Sequence, residues 1–540
     1  MKKLPLGEHD FEKLRKNGLL YVDKTRQIYD MINFCDYQFL SRPRRFGKSL
    51  LISTLDALFR GRKDLFEGLW IEGKLDWQEY PVFRIDLSKL EYSASEEIFN
   101  NEVIAAIQQC SISYGITITG YSVKSWLDNL LKALFENTGK RVVILIDEYD
   151  KPVTTHLTDV EMAERNRKFL RKIFETIKAD SGYIHYFFMT GISKFSKMSV
   201  FSVINQLKDL SLLSQFNDIV GFTEAEVRAN FQEHLERFAQ KEGTAVEALM
   251  DRIRLWYDGY SWDGANRIYN PFGLLNVLAD MKFHNYWFES GTPDFLIRLI
   301  KKRYAPEREV LPTLQDFENI GATSETFDSY DLENIDLTAL LFQTGYLTVL
   351  EVIASGGYEK YILTYPNLEV RASINSHIIN AFSEVPVANT IKAKAVFLVN
   401  ALKTADKDQF LTLVRSVFSG IPHQILKKAN EYYYQSLFFQ LLILLGVENV
   451  ILEKPGHIGF ADGVLFFEGQ VFVFEFKFSR KGTMKTLLKN GIKQLEEKAY
   501  HLPYLGSAQK AFAISVGFLY KATKEGEKEV LTIDALWKNL

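Results

Sequence analysis

Cysteine is scarce in this chain of 540 residues: Cys35 and Cys110 are its only two. Two thiols exclude a disulfide framework and fit a reducing compartment. Proline is thin at 13, and no low-complexity tract interrupts the chain. Long hydrophobic runs are missing too. The most apolar helical stretch, Ser436 to Val447, spans only about 12 residues, too short to cross a bilayer. MKKLPLGEHDF carries a basic pair but no apolar h-region, which argues against a secretion signal. A cytoplasmic protein without membrane contact is the expectation. The nine histidines show no zinc spacing. A net charge of −3 offers no bulk basic footprint for nucleic acid.

What the chain does have is globular: 47% apolar and 25% charged residues, with length for two or three domains. Its charge is uneven. Between Lys477 and Lys510 stand seven lysines and one arginine against Glu496 and Glu497. An acidic whole with one basic surface is compatible with nucleic acid bound at one place.

The first half alternates strands and helices. Strands are expected at Tyr37–Leu40, Val82–Asp86, Val142–Asp147 and Ile184–Gly191, with helices at Lys48–Phe59, Trp126–Phe135 and Asn166–Ala179. Continuous apolar runs such as VVILID are typical of central parallel strands, so a doubly wound α/β domain is expected over 1–220. A mostly helical lid or connecting region follows over 221–394, with polar loops at Asp258–Asn270 and Pro306–Asn334 and strand-like pieces at Tyr346–Ile353 and Tyr361–Tyr365. The last domain, α/β again, is placed at 395–540.

RPRRFGKS, Arg42 to Ser49, lies between a short strand and a helix, the context of a phosphate-binding loop. Backbone N–H groups at the helix start meet phosphates, a lysine (Lys48) reaches the β/γ oxygens and a hydroxyl (Ser49) holds Mg²⁺. The first glycine of the usual pattern is replaced by Arg42; Arg44, Arg45, Phe46 and Gly47 complete the loop. Downstream, Val142–Asp147 runs apolar into Asp147-Glu148. There Asp147 would hold Mg²⁺ and Glu148 would polarise the attacking water, while Thr190 and Lys194, after the next strand, stand where a γ-phosphate sensor would.

Near the other end, VFVFEFKFSR carries Glu475 and Lys477 two residues apart, hence on one face of a strand, flanked by Phe474, Phe476 and Phe478. Two charges on an aromatic strand are costly unless compensated, and a divalent metal with a scissile phosphate would compensate them. Asp462 precedes Glu475 across a turn at Glu468-Gly469-Gln470. Asp462 and Glu475 would bind Mg²⁺ or Mn²⁺ and Lys477 would activate water and stabilise the transition state. The plainer reading is an ion pair on an edge strand. Beyond it, Lys481, Lys485, Lys489 and Lys493 form a basic helical stripe beside an apolar one of Met484, Leu488, Ile492 and Leu495. That stripe is either a polyanion track or a solvated helix face.

DFEKLRKNGLLYVDKT, FLSRPRRFGKSLLISTLDALF, VVILIDEYDKP and TGISKFSKMSVFSVINQLKDLS resemble the signature segments of the bacterial AAA-ATPase-like family, which is commonly fused to a C-terminal PD-(D/E)XK nuclease domain. WYDGYSW, YNPFGLLNVL, LFQTGYLT and YPNLEV extend the resemblance through the middle of the chain. It implies a P-loop NTPase of AAA-like fold, a connecting region and a restriction-endonuclease-like α/β domain, with ATP and Mg²⁺ as cofactors and DNA or RNA as partner. In this family the Arg-Pro-Arg-Arg-Phe loop is usual, with Arg44 and Arg45 supplying charge for part of the lost backbone cradle. The resemblance also implies a further metal ligand, Glu431, with Glu453 as second choice, a metal contact from the Phe476 carbonyl, and Gln494 and Tyr500 near the nuclease site. One departure stands out: the family's Gly-Arg-Ala-Asp reads Gly459-Phe460-Ala461-Asp462 here. That substitution motivates the alternative of an ATP-dependent switch whose nuclease fold binds nucleic acid without cutting. AAA-like domains often form homo-oligomers with a neighbour's arginine finger; Arg252, Arg254 and Arg267 are the arginines considered for it.

Overall fold

The computed structural model of the chain describes residues 1–193, 203–287, 318–328, 336–356, 358–374, 397–418, 434, 438, 450–456, 459–467, 469–498, 510–522 and 529–540. Lys194, Glu431 and Tyr500 lie outside the described residues, as do the side chains of Glu453 and Phe460. The chain divides into two compact units, Met1–Phe295 with Phe317–Val370 and Leu296–Asp316 with Arg371–Leu540.

The first unit is built on a parallel sheet of β1 (Tyr37–Ser41), β2 (Val82–Asp86), β3 (Val142–Asp147), β4 (Ile184–Gly191) and the short β5 (Lys208–Asp209), in the order β2-β3-β4-β1-β5. The middle strands are apolar throughout because helices cover both faces of a parallel sheet; every residue of β3 is buried. β4 lies between the strand that feeds the Arg-rich loop and the strand that ends in Asp147. All four long strands therefore deliver their C-terminal ends, and the loops that follow, to one rim of the sheet.

Helices Glu224–Glu242, Val246–Tyr257 and Pro271–Asp280 bury Phe231, Leu235, Phe238, Ile253 and Leu274 together with Leu20 and Val22 from the start of the chain. The helix Glu224–Glu242 starts with a reciprocal cap between Thr223 and Glu226. The same unit carries a small antiparallel sheet, β6 (Ile320–Thr323), β7 (Thr348–Ser355) and β8 (Tyr358–Thr364), in the order β6-β8-β7. Residues 320–328, expected within a polar loop, form β6 and the helix Ser324–Asp328 instead. Phe327, an isolated apolar residue in polar surroundings, draws that segment in by packing on Phe342 and Tyr361.

The second unit is organised by five strands: β9 (Val450–Gly456), β10 (Gly459–Phe467), β11 (Gln470–Ser479), β12 (Lys510–Ala522) and β13 (Glu529–Asn539), in the order β13-β12-β11-β10-β9. β10 and β11 form an antiparallel hairpin closed at Gly469, whose φ of +75° suits a tight turn. β11 runs parallel to β12. Alternation along β11 separates two environments. Phe474, Phe476 and Phe478 stack against Phe438 and Tyr434. Val471 and Val473 pack with Ile492 and Leu495 of the helix Met484–Lys498. Gly517 lets that helix close on the sheet, since a Cβ there would come within 2.7 Å of Met484 Sδ. No helix among the described residues is long and apolar enough to cross a membrane.

Candidate functional site

At the rim of the parallel sheet the loop after β1 turns into the helix Lys48–Phe59 through Gly47, at φ +93° and with nothing within 4 Å of where a Cβ would stand. No side chain caps this helix, so its first N–H groups are left for a ligand. A cleft of about 580 Å³ opens at this turn, within the usual size of a small-molecule site. Its lining includes polar groups, Arg44, Lys48, Ser49, Asp86, Glu148 and Lys151, and apolar ones, Leu20, Val22, Ile219, Phe222, Phe231 and Leu275. Phosphates suit the former and a flat heterocycle the latter.

Lys48 is buried; its ammonium donates to the Pro43 carbonyl at 3.0 Å and lies 3.8 Å from Glu148 Oε1. Asp147 is buried as well, beside Ser49, and its Oδ1 accepts from Glu148 N at 3.0 Å. Burial pushes its carboxyl above the usual range, against the pull of Ser49 and Lys48, while Glu148 and Asp86 push the same way as burial. A carboxylate and a hydroxyl at this spot fit a hard cation that completes its sphere with phosphate oxygens and water, as Mg²⁺ does. Among the described residues no trio of His, Cys, Asp or Glu side chains is arranged to hold a metal by itself. Two non-glycine residues of the cleft, Arg45 (φ +68°) and Glu148 (φ +49°), occupy the left-handed region, a strain tolerated where surrounding structure fixes it.

The residue in place of the first glycine has a clear occupation. Arg42 is wholly buried, donates to the carbonyls of Ser41, Ser211 and Phe216 at 2.9 Å each, and stacks 3.9 Å from the Trp262 ring. It rivets the loop to neighbouring segments. Arg44 and Arg45 line the cleft, Arg45 over Phe272 at 5.0 Å. Thr190 Oγ1 donates to the Leu40 carbonyl at 2.6 Å, a tie between β4 and β1. Of the three arginines considered as fingers, Arg252 pairs with Glu242, Arg254 with Glu224 and Asp251, and Arg267 donates to the carbonyls of Gly259, Val349 and Leu350.

Sequence reasoning passed over Asp86, Lys89, Asp150 and Lys151. Asp86 sits level with Asp147 in the sheet, a pairing that only the strand register reveals. Asp150 is fully buried and accepts from Ile192 N, Ser193 N and Ser193 Oγ at 3.3, 2.7 and 2.5 Å. The signal was present as the second Asp of IDEYD.

In the second unit the hairpin register places Gly463 opposite Phe474, hence Asp462 level with Glu475. Asp462 Oδ2 accepts from Phe476 N at 2.6 Å. Glu475 is 1% exposed and its Oε1 takes the Lys477 ammonium at 2.6 Å. β11 is the central strand of its sheet, so the edge-strand account of this pair does not hold. Two carboxylates form a hard oxygen set, suited to Mg²⁺ or Mn²⁺ rather than a soft metal. Lys481, Lys485, Lys489 and Lys493 are exposed, with Lys493 3.4 Å from Glu497.

Residues 5–201 match the family described as a predicted AAA-ATPase, and residues 429–527 match the PD-(D/E)XK nuclease superfamily. A protein of Azotobacter chroococcum mcd 1, described as an uncharacterized protein in the vnfD 5' region, is 35% identical over 531 residues, covering 96% of each chain.

Proposed function

Because the chain belongs to the family that joins a predicted AAA-ATPase to a PD-(D/E)XK nuclease-superfamily domain, we propose that it hydrolyses ATP to control a metal-dependent phosphodiesterase acting on nucleic acid. The observation that carries this is the level placement of Asp462 and Glu475 on adjacent strands, with Lys477 two residues on. Such burial of charge is costly in a purely structural sheet.

At the cleft, the start of the helix Lys48–Phe59 and Lys48 bind the phosphates, and the apolar lining takes the base. Glu148 orients the attacking water and accepts its proton. Ser49 and Asp147 would hold Mg²⁺, which adds positive charge at the terminal phosphates. In the second unit Asp462 and Glu475, with Glu431 as a further ligand, would hold Mg²⁺ or Mn²⁺. Lys477 orients water and offsets charge on the scissile phosphate. The exposed lysines of the helix Met484–Lys498 follow the nucleic-acid backbone. We place the protein in the cytoplasm, as a homo-oligomer, in defence or mobile-element chemistry of the kind that ATPase–nuclease pairs serve.

The test is cleavage of mixed DNA and RNA substrates with Mg²⁺ or Mn²⁺, with and without ATP, by wild type and Asp462→Ala. Cutting that requires Asp462 and responds to ATP supports the proposal. Phe460 in the arginine position favours one other reading, a nucleotide-dependent switch that binds nucleic acid without cutting. ATP-dependent binding with no cleavage under any condition would select it.

A further inference from the structure

The cleft is lined by several cations, most already engaged. Lys24 is held by Glu226 and the Asp218 carbonyl, Lys89 lies 3.5 Å from Asp86, Arg45 covers Phe272, and Lys48 holds the Pro43 carbonyl beside Glu148. Lys151 differs. It is half-buried in the lining of the cleft, and among the described residues its ammonium makes no ion pair. An ammonium that gives up water without gaining a carboxylate is stabilised when an anion arrives. Burial and the neighbouring Arg44 both depress its pKa, against Glu148 and Asp150.

Its backbone is fixed relative to Glu148. Lys151 N donates to the Glu148 carbonyl at 3.0 Å, Tyr149 N to the Thr190 carbonyl at 3.1 Å, and the Tyr149 hydroxyl to the Ser193 carbonyl at 2.9 Å. The buried Asp150 carboxylate holds the segment after β4 with its three hydrogen bonds, and Gly191 leaves it room, since a Cβ there would collide with Asp150 and Tyr149. The residue that takes the proton and the unpaired cation thus sit three positions apart on one braced turn.

We propose that Lys151 is a catalytic cation acting in cis: it contacts a γ-phosphate oxygen and neutralises the charge that develops there, the task an arginine finger performs when a neighbouring subunit supplies it. This rests on the ATPase reading. In the step, water oxygen bonds to the γ-phosphorus and gives a proton to Glu148. The bond from γ-phosphorus to the bridging oxygen breaks, leaving its electron pair on ADP, and inorganic phosphate departs.

The experiment is steady-state ATP hydrolysis by the full chain and its variants, with binding of a fluorescent ATP analogue measured alongside. Lys151→Ala and the longer-stemmed Lys151→Met should each lose at least about a hundredfold in kcat while analogue binding changes only severalfold, and Lys151→Arg should recover much of the loss. Specific activity should not rise with protein concentration. A mixture of Lys48→Ala, which keeps Lys151, with Lys151→Ala, which keeps the loop, should stay inactive. Retained kcat in both Lys151→Ala and Lys151→Met, or activity regained by the mixture, would overturn the proposal and leave the ATPase reading standing. Absence of hydrolysis by wild type would instead overturn the ATPase reading, and this proposal with it.

Discussion

The two candidate sites are built in opposite ways. The cleft collects its groups from the loops that follow β1, β2 and β3, so that Lys48, Asp86 and Glu148 meet only because parallel strands share a rim. The second site is laid out on one hairpin, where strand alternation puts Glu475 and Lys477 on one side and the hairpin register brings Asp462 beside them. The cleft depends on tertiary ties such as those of Arg42 to hold its loops together, whereas the hairpin site is held by the sheet itself. The contrast is between a site assembled across several loops and a site preset on one hairpin.

The largest expected effects separate the two chemistries. Glu148→Gln should lower ATP hydrolysis by about 10²–10⁴-fold while ATP still binds, because only the proton acceptor is lost. Lys477→Ala should lower nucleic-acid cleavage by about 10²–10³-fold and leave intrinsic ATP hydrolysis within a few-fold of wild type. Both are read by paired ATPase and cleavage assays. If Lys477→Ala abolished ATP turnover as well, the two sites would not be separable and the comparison would collapse.

Next in size is the rivet. Arg42→Ala leaves the carbonyls of Ser41, Ser211 and Phe216 without their donor and uncovers Trp262. A loss of about 3 kcal/mol is expected in denaturant unfolding, with Arg42→Lys recovering little, since an ammonium cannot span three carbonyls and stack on an indole. Full stability in Arg42→Ala would show that the loop is braced some other way.

How much of this was legible depended on how local each signal was. β2, β3 and β4 fall where their apolar runs placed them, and Glu475 with Lys477 was visible because period-two alternation is written into consecutive residues. Arg42 looked like a defect in a glycine pattern; that it reaches residues 211–262 depends on tertiary contacts no local window contains. Lys151 and Asp86 were missed for the same reason, since their relation to Glu148 and Asp147 comes from turn geometry and strand register. The segment 320–328 was read as loop because its polar composition outweighed the single anchor, Phe327.

Two buried glutamates sharpen the contrast between the units. Glu475 has Lys477 at 2.6 Å, whereas Glu369 accepts from the backbone N–H of Trp287 at 2.7 Å and from that of Tyr286, and burial pushes it up to about 8. A carboxyl whose folded pKa exceeds its unfolded value of about 4.3 binds a proton more tightly in the folded state. Its contribution to stability is therefore complete below about pH 4.3 and lost as pH rises towards 8. Glu369→Gln, neutral throughout, should differ least from wild type in melting temperature near pH 4 and exceed it by a margin that grows as pH rises towards 8, by several degrees near pH 9. Parallel melting curves across that range would mean that Glu369 stays ionised, matched by charge elsewhere in the unit.

The smallest expected effect tests whether the basic stripe belongs to the second site or merely faces solvent. Lys481 lies in the bend before the helix Met484–Lys498, so the stripe is Lys485, Lys489 and Lys493, which repel one another by a few tenths of a kcal/mol per pair, with Lys493 partly relieved by Glu497 at 3.4 Å. Lys485 and Lys489 have no such relief among the described ion pairs and share the helix whose apolar stripe packs on β11. If they follow a phosphate backbone, each replaced by Gln should remove about one unit from the slope of log affinity against log salt, and the double variant about two. Lys493→Gln should change that slope less. Equal salt slopes in wild type and the double variant, measured by titration of a labelled oligonucleotide, would assign the stripe to solvent. Recognition at the second site would then rest on the groups around Asp462, Glu475 and Lys477 alone, and the preset site would lack an electrostatic approach of its own.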